Sequence, residues 1–370
     1  MYVSNHLHND KNISIFAPDF SYIGHTITNL AKFQAAYFER KYSRNLEKSL
    51  INKSCHKREI NFYHIGNSPH NLEVLENFVK SRSKQNILIL HDTNLTDLVK
   101  FAVRKNGLQS LEKILKNQSK TLIENILKEE NYNLDATTKC SFFVNSIIGA
   151  NLSDTKIIIH NSKNLETTEN LRDGALSHLE LPIGYHFMKP LVLNFPNLIP
   201  LIVIGGSSHD GNFPEKIKLI IQGISSKSEF RVIILGAKDR HSFANLNDMP
   251  NVSVLESVSN ENWQIVLSRA NIVMRISVGR NGESSGFLRD GLLRSKFVLG
   301  DEDSQVLRNF SNYTFLDQDC DINKISQLIS ERLENSYPKS IEQISKRNTE
   351  AERNSLDSYF RYFNELVVNL

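Results

Sequence analysis

The residues best suited to chemistry lie where a strand gives way to a helix in the second half of the chain. An apolar run, Ile272–Ile276, stops before Gly282, and one acid, Glu283, comes next. From Ser285 onward the apolar residues take helical spacing. A glycine-containing loop and one carboxylate are therefore delivered to the first turn of a helix. Unpaired backbone N–H groups and the helix dipole favour an anion there, and we expect a phosphate.

Basic side chains near this loop could balance the charge of a phosphate. Arg275 lies at the end of the strand before the loop, and so apolar a strand rarely buries an arginine without an anionic partner. A second loop, containing Gly205 and Gly206, follows another apolar strand, and Lys216 comes after it. We predict that Arg275 and Lys216 stabilise the phosphate. For Lys216 a solvated helix lysine is the alternative.

Candidate residues also follow the strands of the first half. Gly24 and His25 lie between the first predicted strand and a helix, and His91 and Asp92 follow the third. Ligands bind at the carboxyl ends of strands in open α/β sheets, so these residues are candidates for lining a ligand site. His91 and Asp92 could form an acid/base pair, although neighbours at a strand end point to opposite faces. His160 is a weaker candidate of the same kind.

Alternating strands and helices must position these side chains. The alternation predicts an α/β fold with two parallel sheets. The predicted strands of the first half are Ile13–Ala17, Ile60–Ile65, Ile87–Leu90 and Lys156–His160. Those of the second half are Leu198–Ile204, Arg231–Leu235, Val252–Leu255, Ile272–Ile276, Lys296–Leu299 and Tyr313–Leu316. Prolines between 182 and 200 mark a boundary, so we predict domains over 1–185 and 186–340. A C-terminal helix over 341–370 is expected to pack back on the N-terminal domain.

Length and composition narrow the classes of protein. A chain of 370 residues favours two domains. The net charge of +3, from 44 basic and 41 acidic residues, disfavours a nucleic-acid partner. Three separated cysteines, at positions 55, 140 and 320, lack the spacing of metal ligands and favour a reducing compartment.

The sequence also carries expectations about membranes. It has no secretory signal pattern and no apolar run of about 18 residues, so we expect a cytoplasmic protein. Residues 100–120 combine basic residues with apolar residues at helical spacing. A helix packed on its own core explains this pattern, and a peripheral contact with the inner face of the membrane is the alternative.

The ordered segments from the strand before Gly205 to the sequence GESSG at 282–286 resemble one large enzyme family. They are similar to the donor-binding half of retaining glycosyltransferases of the family that includes sucrose synthases and many bacterial lipopolysaccharide transferases. The resemblance implies two Rossmann-like domains facing a cleft, the GT-B architecture. It implies a nucleoside diphosphate sugar as co-substrate, with no cofactor and no metal.

The first half is similar to the acceptor domain of the same enzymes, which implies that Gly24, His25 and His91 lie on the acceptor side. The resemblance also implies roles for other single residues. Glu283 would contact sugar or ribose hydroxyls, and the N–H groups of Ser284, Ser285 and Gly286 would face the sugar or the diphosphate. Many members carry a second acid eight residues after the first, but that position here is Gly291. Asp290 precedes it and would point about 100° around the helix. It serves in that role only if the loop register shifts, and an exposed helix carboxylate is the alternative.

The resulting prediction is a metal-independent retaining glycosyltransferase that acts on a glycan, lipid-linked or protein acceptor. Two acidic clusters, Asp301–Asp303 and the aspartates at 317, 319 and 321, are interpreted as solvated loops and not as metal sites. Two alternatives stay open: a nucleotide-sugar epimerase, and a catalytically degenerate partner subunit that assists an active homologue. Homo-oligomers and hetero-oligomers both stay open as well.

Overall fold

The computed structural model describes most of both halves of the chain. The described residues are 2–8, 11–18, 27–28, 30–38, 58–66, 69–81, 85–91, 98, 155–160, 176–183, 199–205, 213–225, 229–236, 243–256, 258–276, 285–294, 296–317, 320–334 and 341–369.

Strands and helices alternate through these residues as the apolar pattern predicts. The strands are β1 (Tyr2–His8), β2 (Lys11–Ala17), β3 (Arg58–Ile65), β4 (Gln85–Leu90), β5 (Lys156–Ile159), β6 (Leu176–His178), β7 (Leu201–Gly205), β8 (Arg231–Leu235), β9 (Val252–Leu255), β10 (Ile272–Arg275), β11 (Phe297–Gly300) and β12 (Tyr313–Phe315). The helices are α1 (30–38), α2 (Leu72–Lys80), α3 (Phe213–Gly223), α4 (Ala244–Asn247), α5 (Asn260–Arg269), α6 (Gly286–Leu293), α7 (Gln305–Arg308), α8 (Ile322–Glu334) and α9 (Ile341–Asn369).

The described chain divides into two compact units. The first contains the described residues up to Leu181 together with those from Tyr359 onward, and the second contains the described residues from Pro182 to Ser358. Helix α9 contributes to both. No helix among the described residues is both long enough and apolar enough to cross a membrane.

The sheet of the first unit has the order β1-β2-β3-β4-β5-β6. The parallel pairing predicted for this half is confirmed from β2 to β6, and β1 is an addition that pairs antiparallel with β2 at the edge. Alternate residues of β3 point to opposite faces. Phe62 contacts Phe38 of α1 and Phe363 of α9, whereas Tyr63 contacts Phe78 of α2. Helices therefore cover both faces of this sheet.

The sheet of the second unit is fully parallel and has the order β12-β11-β10-β7-β8-β9. Apolar cores fill both faces. One core includes Ile217 of α3 and Ile329 of α8, and the other includes Leu267 of α5 and Leu292 of α6. This strand order is that of a doubly wound Rossmann-like fold, in which the direction of winding reverses between the two central strands.

Helix α9 ends in an aromatic group that belongs to the first unit. The ring of Phe360 stacks on Tyr37, with centroids 3.8 Å apart and planes 4° apart. Asn364 donates a hydrogen bond of 2.7 Å from Nδ2 to the hydroxyl of Tyr37. Because Phe363 also lies fully buried against Phe62, the end of α9 forms part of the core of this unit.

Candidate functional site

The strands β7 and β10 lie side by side at the reversal point of the second sheet. Ligands of doubly wound proteins bind at the carboxyl ends of such strands, where the chain leaves the sheet in opposite directions. Those ends are Gly205 and Arg275, and both were predicted from the sequence as part of the site. Arg275 is half-buried there.

Helix α6 begins close to these strand ends, and Gly205 permits that approach. A Cβ atom at position 205 would lie 3.3 Å from the ring of Phe287, in the first turn of α6. That distance is tighter than ordinary van der Waals contact, so the glycine makes room for the phenylalanine. Phe287 is held from the other side by Trp263, with ring centroids 5.5 Å apart. The end of β7 and the start of α6 are thus packed through one aromatic ring.

The first turn of α6 is fixed by a capping residue and a buried carboxylate. Ser285 is the N-cap, and its Oγ accepts a hydrogen bond of 3.4 Å from the N–H of Leu288. The N–H of Ser285 donates to Oε2 of Glu302 at 2.7 Å. Glu302 follows β11, so it ties the carboxyl end of a neighbouring strand to the start of the helix.

Arg289 completes this arrangement with a bidentate ion pair. Its two terminal nitrogens each donate to one oxygen of Glu302 at 2.9 Å, and Nη1 also donates to the carbonyl oxygen of Ser285 at 3.0 Å. The side chains of Arg289 and Glu302 are 0% and 1% exposed. A buried charge pair is tolerated when its hydrogen bonds are satisfied, and here it binds both the N–H and the carbonyl oxygen of Ser285.

Tyr313 of β12 supports the same glutamate. Its hydroxyl donates to the backbone carbonyl of Glu302 at 2.7 Å. Burial raises the pKa of Tyr313 well above its ordinary value. The negative charges of Glu302 and Asp301 raise this pKa further, and Arg289 opposes them. The phenol therefore stays protonated and keeps its role as a donor at physiological pH.

This network changes the expected part of Ser285. The sequence predicts that the N–H of Ser285 faces a sugar or a diphosphate, yet in this structure that N–H is bonded to Glu302. The carboxylate of Glu302 thus accepts the hydrogen bond of one N–H donor at the start of α6. Gly286 is the first residue of the helix and is half-buried.

The structure explains why no acid stands at position 291. A Cβ there would lie 3.0 Å from Cγ1 of Val273 and 3.1 Å from Cγ2 of Val298, so this position faces the apolar side of the sheet. Asp290 is buried and not exposed. It accepts a hydrogen bond of 3.1 Å from Nε1 of Trp263, and it lies 3.8 Å from Nη1 of Arg294.

Asp290 therefore belongs to a polar contact between α6 and α5. Arg294 also donates to Gln264 of α5. Burial lowers the pKa of Arg294, and the charge of Asp290 opposes that effect. Burial together with the charge of Arg294 lowers the pKa of Lys296 to about 8. Arg294 and Lys296 follow the last residue of α6, so they lie at the opposite end of the helix from Ser285.

Several residues predicted for the site lie outside the described residues. They are Gly24, His25, Asp92, Gly206, Gly282, Glu283 and Ser284. The segment 100–120 lies outside them too. Lys216 is half-buried on α3.

The two acidic clusters serve local contacts where they are described. Asp303 forms an exposed ion pair of 2.8 Å with Arg308, and Oδ1 of Asp321 accepts a hydrogen bond from the N–H of Asn323. Among the residues that the structure describes, no group of three or more histidine, cysteine, aspartate or glutamate side chains is arranged to hold a metal ion.

The carboxyl edge of the first sheet brings together three histidines. His64 lies near the end of β3, His91 follows β4 and His160 follows β5. Nδ1 of His64 lies 3.1 Å from Nε2 of His91, and the rings of His91 and His160 are 4.9 Å apart. His160 donates from Nδ1 to the carbonyl oxygen of Leu179 at 2.8 Å. The predicted candidates His91 and His160 are therefore close neighbours.

Gln34 of α1 binds the other side of His64. Its Oε1 lies 2.8 Å from Nε2 of His64. His64 is fully buried, and burial together with the charge of the nearby His160 lowers its pKa to about 3. His64 is thus neutral at physiological pH and carries a single ring proton.

Gln34 and His64 were not predicted, although the sequence contains a signal for both residues. In α1 the buried stripe Leu30, Ala31, Ala35 and Phe38 includes Gln34 as its polar member. In β3 the alternation of Ile60 and Phe62 places His64 on the same buried face. A polar residue on each of two buried faces indicates a pair, because buried polar groups need partners.

Two separate α/β units, each built on a largely parallel sheet, place the chain in the class of two-domain Rossmann-like proteins. Scans of protein-family models and of curated proteins found no match. Among solved structures, the chain resembles the sucrose-phosphate synthase of Thermosynechococcus elongatus, with a TM-score of 0.54 and 11% identity. The match covers 93% of this chain and 79% of that one.

A glycosyltransferase from Rickettsia africae is similar at a TM-score of 0.49 and 12% identity, covering 83% of this chain and 98% of that one. At 11% identity the likeness to the sucrose-phosphate synthase speaks for the fold alone. The predicted α/β fold with two Rossmann-like domains is confirmed.

Proposed function

We propose that the protein is a glycosyltransferase that moves a sugar from a nucleoside diphosphate sugar to a hydroxyl group of a glycan, lipid-linked or protein acceptor. The observation that carries the proposal is the start of α6, fixed by Glu302 and Arg289 next to the strand ends at the reversal point. A preorganised helix start at this place suits a phosphate-bearing ligand. The fold shared with a sucrose-phosphate synthase supports the same class of reaction.

The charge of the departing diphosphate needs cationic and N–H donors. We assign these to Arg275, Lys216 and the N–H groups at the start of α6, where water-excluded donors stabilise developing charge most effectively. Because the N–H of Ser285 is bonded to Glu302, Ser285 contributes by orienting the loop and not by direct contact. Glu283 would accept hydrogen bonds from sugar or ribose hydroxyls.

The proposed reaction retains the anomeric configuration and uses no metal. Its transition state would resemble an oxocarbenium ion. By resemblance to retaining enzymes, the leaving phosphate itself accepts the proton of the acceptor hydroxyl. In this scheme Glu302 and Asp303 serve as partners of Arg289 and Arg308.

The acceptor side is assigned to the carboxyl edge of the first sheet. His91 and Asp92 follow β4, and Gly24 and His25 follow β2 in the sequence. His91 is 9% exposed, more than either His64 or His160. The first sheet is therefore expected to contribute polar side chains at the same kind of edge as the second.

Thermal-shift measurements with UDP, GDP and CMP sugars test the donor site. Stabilisation by one nucleotide sugar, lost in Glu283→Gln, supports the assignment of Glu283. Glu261→Gln is the matched control, because Glu261 is exposed in the first turn of α5. Equal stabilisation of all three proteins would remove Glu283 from the site, and no stabilisation by any nucleotide sugar would contradict the proposed function.

Turnover then separates the three functions that the sequence leaves open. A transferase consumes the donor when an acceptor is present, and NMR of the product gives the anomeric configuration. Activity that survives EDTA supports the metal-independent scheme. Conversion of the donor alone would identify an epimerase, and binding without turnover would identify a degenerate partner subunit.

A further inference from the structure

Two aromatic rings meet at the carboxyl edge of the second sheet. Trp263 lies in the first turn of α5, which follows β9, and Phe287 lies in the first turn of α6, which follows β10. Helices that follow parallel strands begin at the edge where those strands end, and ligands bind at that edge. Phe287 also packs against the end of β7 at Gly205. The pair therefore lies beside the strand ends at the reversal point.

The indole of Trp263 is held in a fixed orientation. Its Nε1 donates to Oδ2 of the buried Asp290 at 3.1 Å, and its ring centroid lies 5.5 Å from that of Phe287 with 73° between the planes. An edge-to-face pair uses one face of only one ring. Both side chains are half-buried, so each leaves part of its surface open to solvent. A ligand that uses this surface does not have to order a mobile side chain.

Two other half-buried rings of the second unit are covered by arginines. The guanidinium of Arg332 lies 4.1 Å from the ring centroid of Phe297, and that of Arg308 lies 4.8 Å from the centroid of Phe315. Trp263 instead contacts another aromatic ring, at the edge of the sheet where ligands of doubly wound proteins bind. A partly exposed and preoriented indole at this place indicates a stacking surface for a planar ring.

We propose that Trp263, oriented by Asp290 and Phe287, is the residue on which the base of the nucleoside diphosphate sugar stacks. The proposal rests on the proposed function, because it places the base next to a diphosphate held at Arg275 and the start of α6. It adds a residue for recognition of the nucleotide that the sequence did not predict. Every nucleobase has a planar π-face that stacks on an aromatic side chain, whereas a diphosphate has none.

The first test uses the fluorescence of the full-length protein. Trp263 is the only tryptophan among the 370 residues, so the emission reports this position alone. The protein is titrated with UDP, GDP and inorganic pyrophosphate, with N-acetyltryptophanamide as the correction for absorbance. We expect saturable quenching by the nucleoside diphosphate that the protein binds and no quenching by pyrophosphate, which lacks a base. This measurement needs no variant.

The second test compares variants by isothermal titration calorimetry with the same three ligands. Trp263→Leu keeps an apolar group in the core but removes the ring, so the Kd of the nucleoside diphosphate should rise about tenfold or more. The Kd of pyrophosphate should stay unchanged. Trp263→Phe keeps a stacking ring and should bind the nucleotide more tightly than Trp263→Leu does.

Phe310→Leu is the matched control for an aromatic ring lost from the same core. Phe310 is buried in that core and precedes β12, so it lies at the opposite edge of the sheet. This variant should leave every Kd unchanged.

Three results would overturn the assignment of Trp263. They are a nucleoside diphosphate that stabilises the protein in thermal shift without quenching, a nucleotide Kd equal in the parent and Trp263→Leu, and an equal rise in the Kd of pyrophosphate. Each of them leaves the proposed function standing, because the nucleotide still binds. Failure of every nucleotide and nucleotide sugar to bind would contradict both proposals.

Discussion

Arg289 carries a positive charge at a position with no exposure to solvent. It is neutralised by Glu302 and bonded to the carbonyl of Ser285. Such a pair is costly to break, because removal of one partner leaves the other charge buried and unpaired. The pair therefore contributes more to the geometry of the α6 start than to the net stability of the fold.

Arg289→Met should lower the free energy of unfolding by about 3 to 5 kcal/mol, since Glu302 would be left buried without its counter-charge. Urea denaturation followed by circular dichroism measures the change. Arg308→Met is the control, because its ion pair with Asp303 is exposed and should contribute no more than about 1 kcal/mol. Equal losses in the two variants would contradict the role of burial.

His64 should make the protein less stable in acid. Its pKa falls from 6.5 in the unfolded chain to about 3 in the folded one, so between these values the unfolded chain binds one more proton. Stability therefore rises with pH across this window, by about 1.4 kcal/mol per pH unit for one proton. Above pH 6.5 the ring is neutral in both states and costs no stability. As the pH falls from 6.5 towards 3, the unfolded chain is protonated preferentially and the free energy of unfolding decreases. The groups that face His64 are His91, His160 and Gln34.

His64→Asn removes the titrating ring, so its stability should depend less steeply on pH between about 6.5 and about 4. Urea unfolding at several pH values measures the slope. His70→Asn provides the comparison, because His70 is exposed on the connection between β3 and α2. An unchanged slope in His64→Asn, or an equal change in both variants, would contradict the assignment.

At the level of elements, the sequence predicted several strands of the second sheet well. β8 and β9 match their predicted bounds, and β10 ends one residue early. β8 and β10 lie inside the sheet, between helices on both faces, so they appear as apolar runs that are easy to recognise. β1 was missed because Tyr2–His8 mixes histidine, asparagine and serine with few apolar residues, and β6 was missed because it has only three residues.

The candidate site was predictable only in part, for a physical reason. The places of Gly205 and Arg275 at strand ends and of Ser285 at a helix start were predicted because such boundaries have local signatures. The role of Glu302 was not found, since its partner Arg289 lies thirteen residues away on a different element. The roles of Asp290 and Gly291 could not be decided from the sequence for a similar reason. Which faces of α6 meet the sheet and α5 is decided by tertiary packing.

The C-terminal part of α9 is an element whose contribution can be tested alone. Phe363 is fully buried against Phe62 and Tyr359. Phe363→Ala should lower the free energy of unfolding by about 3 to 5 kcal/mol, through lost apolar burial and the cavity left behind. Arg361→Ala, at an exposed position of the same helix, should change it by no more than about 0.5 kcal/mol. Chemical denaturation of both variants measures the difference, and a small loss in Phe363→Ala would show that the helix end is dispensable.

At the level of the whole molecule, the two units have separate cores and separate assigned tasks. The apolar clusters of the second unit are formed by its own strands and helices, including Ile204, Met274 and Leu288. The first unit is completed by the aromatic end of α9. A core substitution in the first unit and ligand binding to the second unit should therefore change hydrogen exchange in different parts of the chain.

We predict that the nucleotide found in the thermal-shift screen slows amide exchange most in peptides that cover β7, β10 and α6. At about 100 times its Kd the nucleotide raises the free energy of unfolding by about 2.7 kcal/mol. A change of this size slows amide exchange measurably. Phe363→Ala should instead speed exchange in β3 and β4 and leave the nucleotide effect in place. Hydrogen-exchange mass spectrometry of the parent and variant proteins measures both. Protection centred on β3 and β4 would place the donor on the first sheet and contradict the assignment of Arg275 and α6.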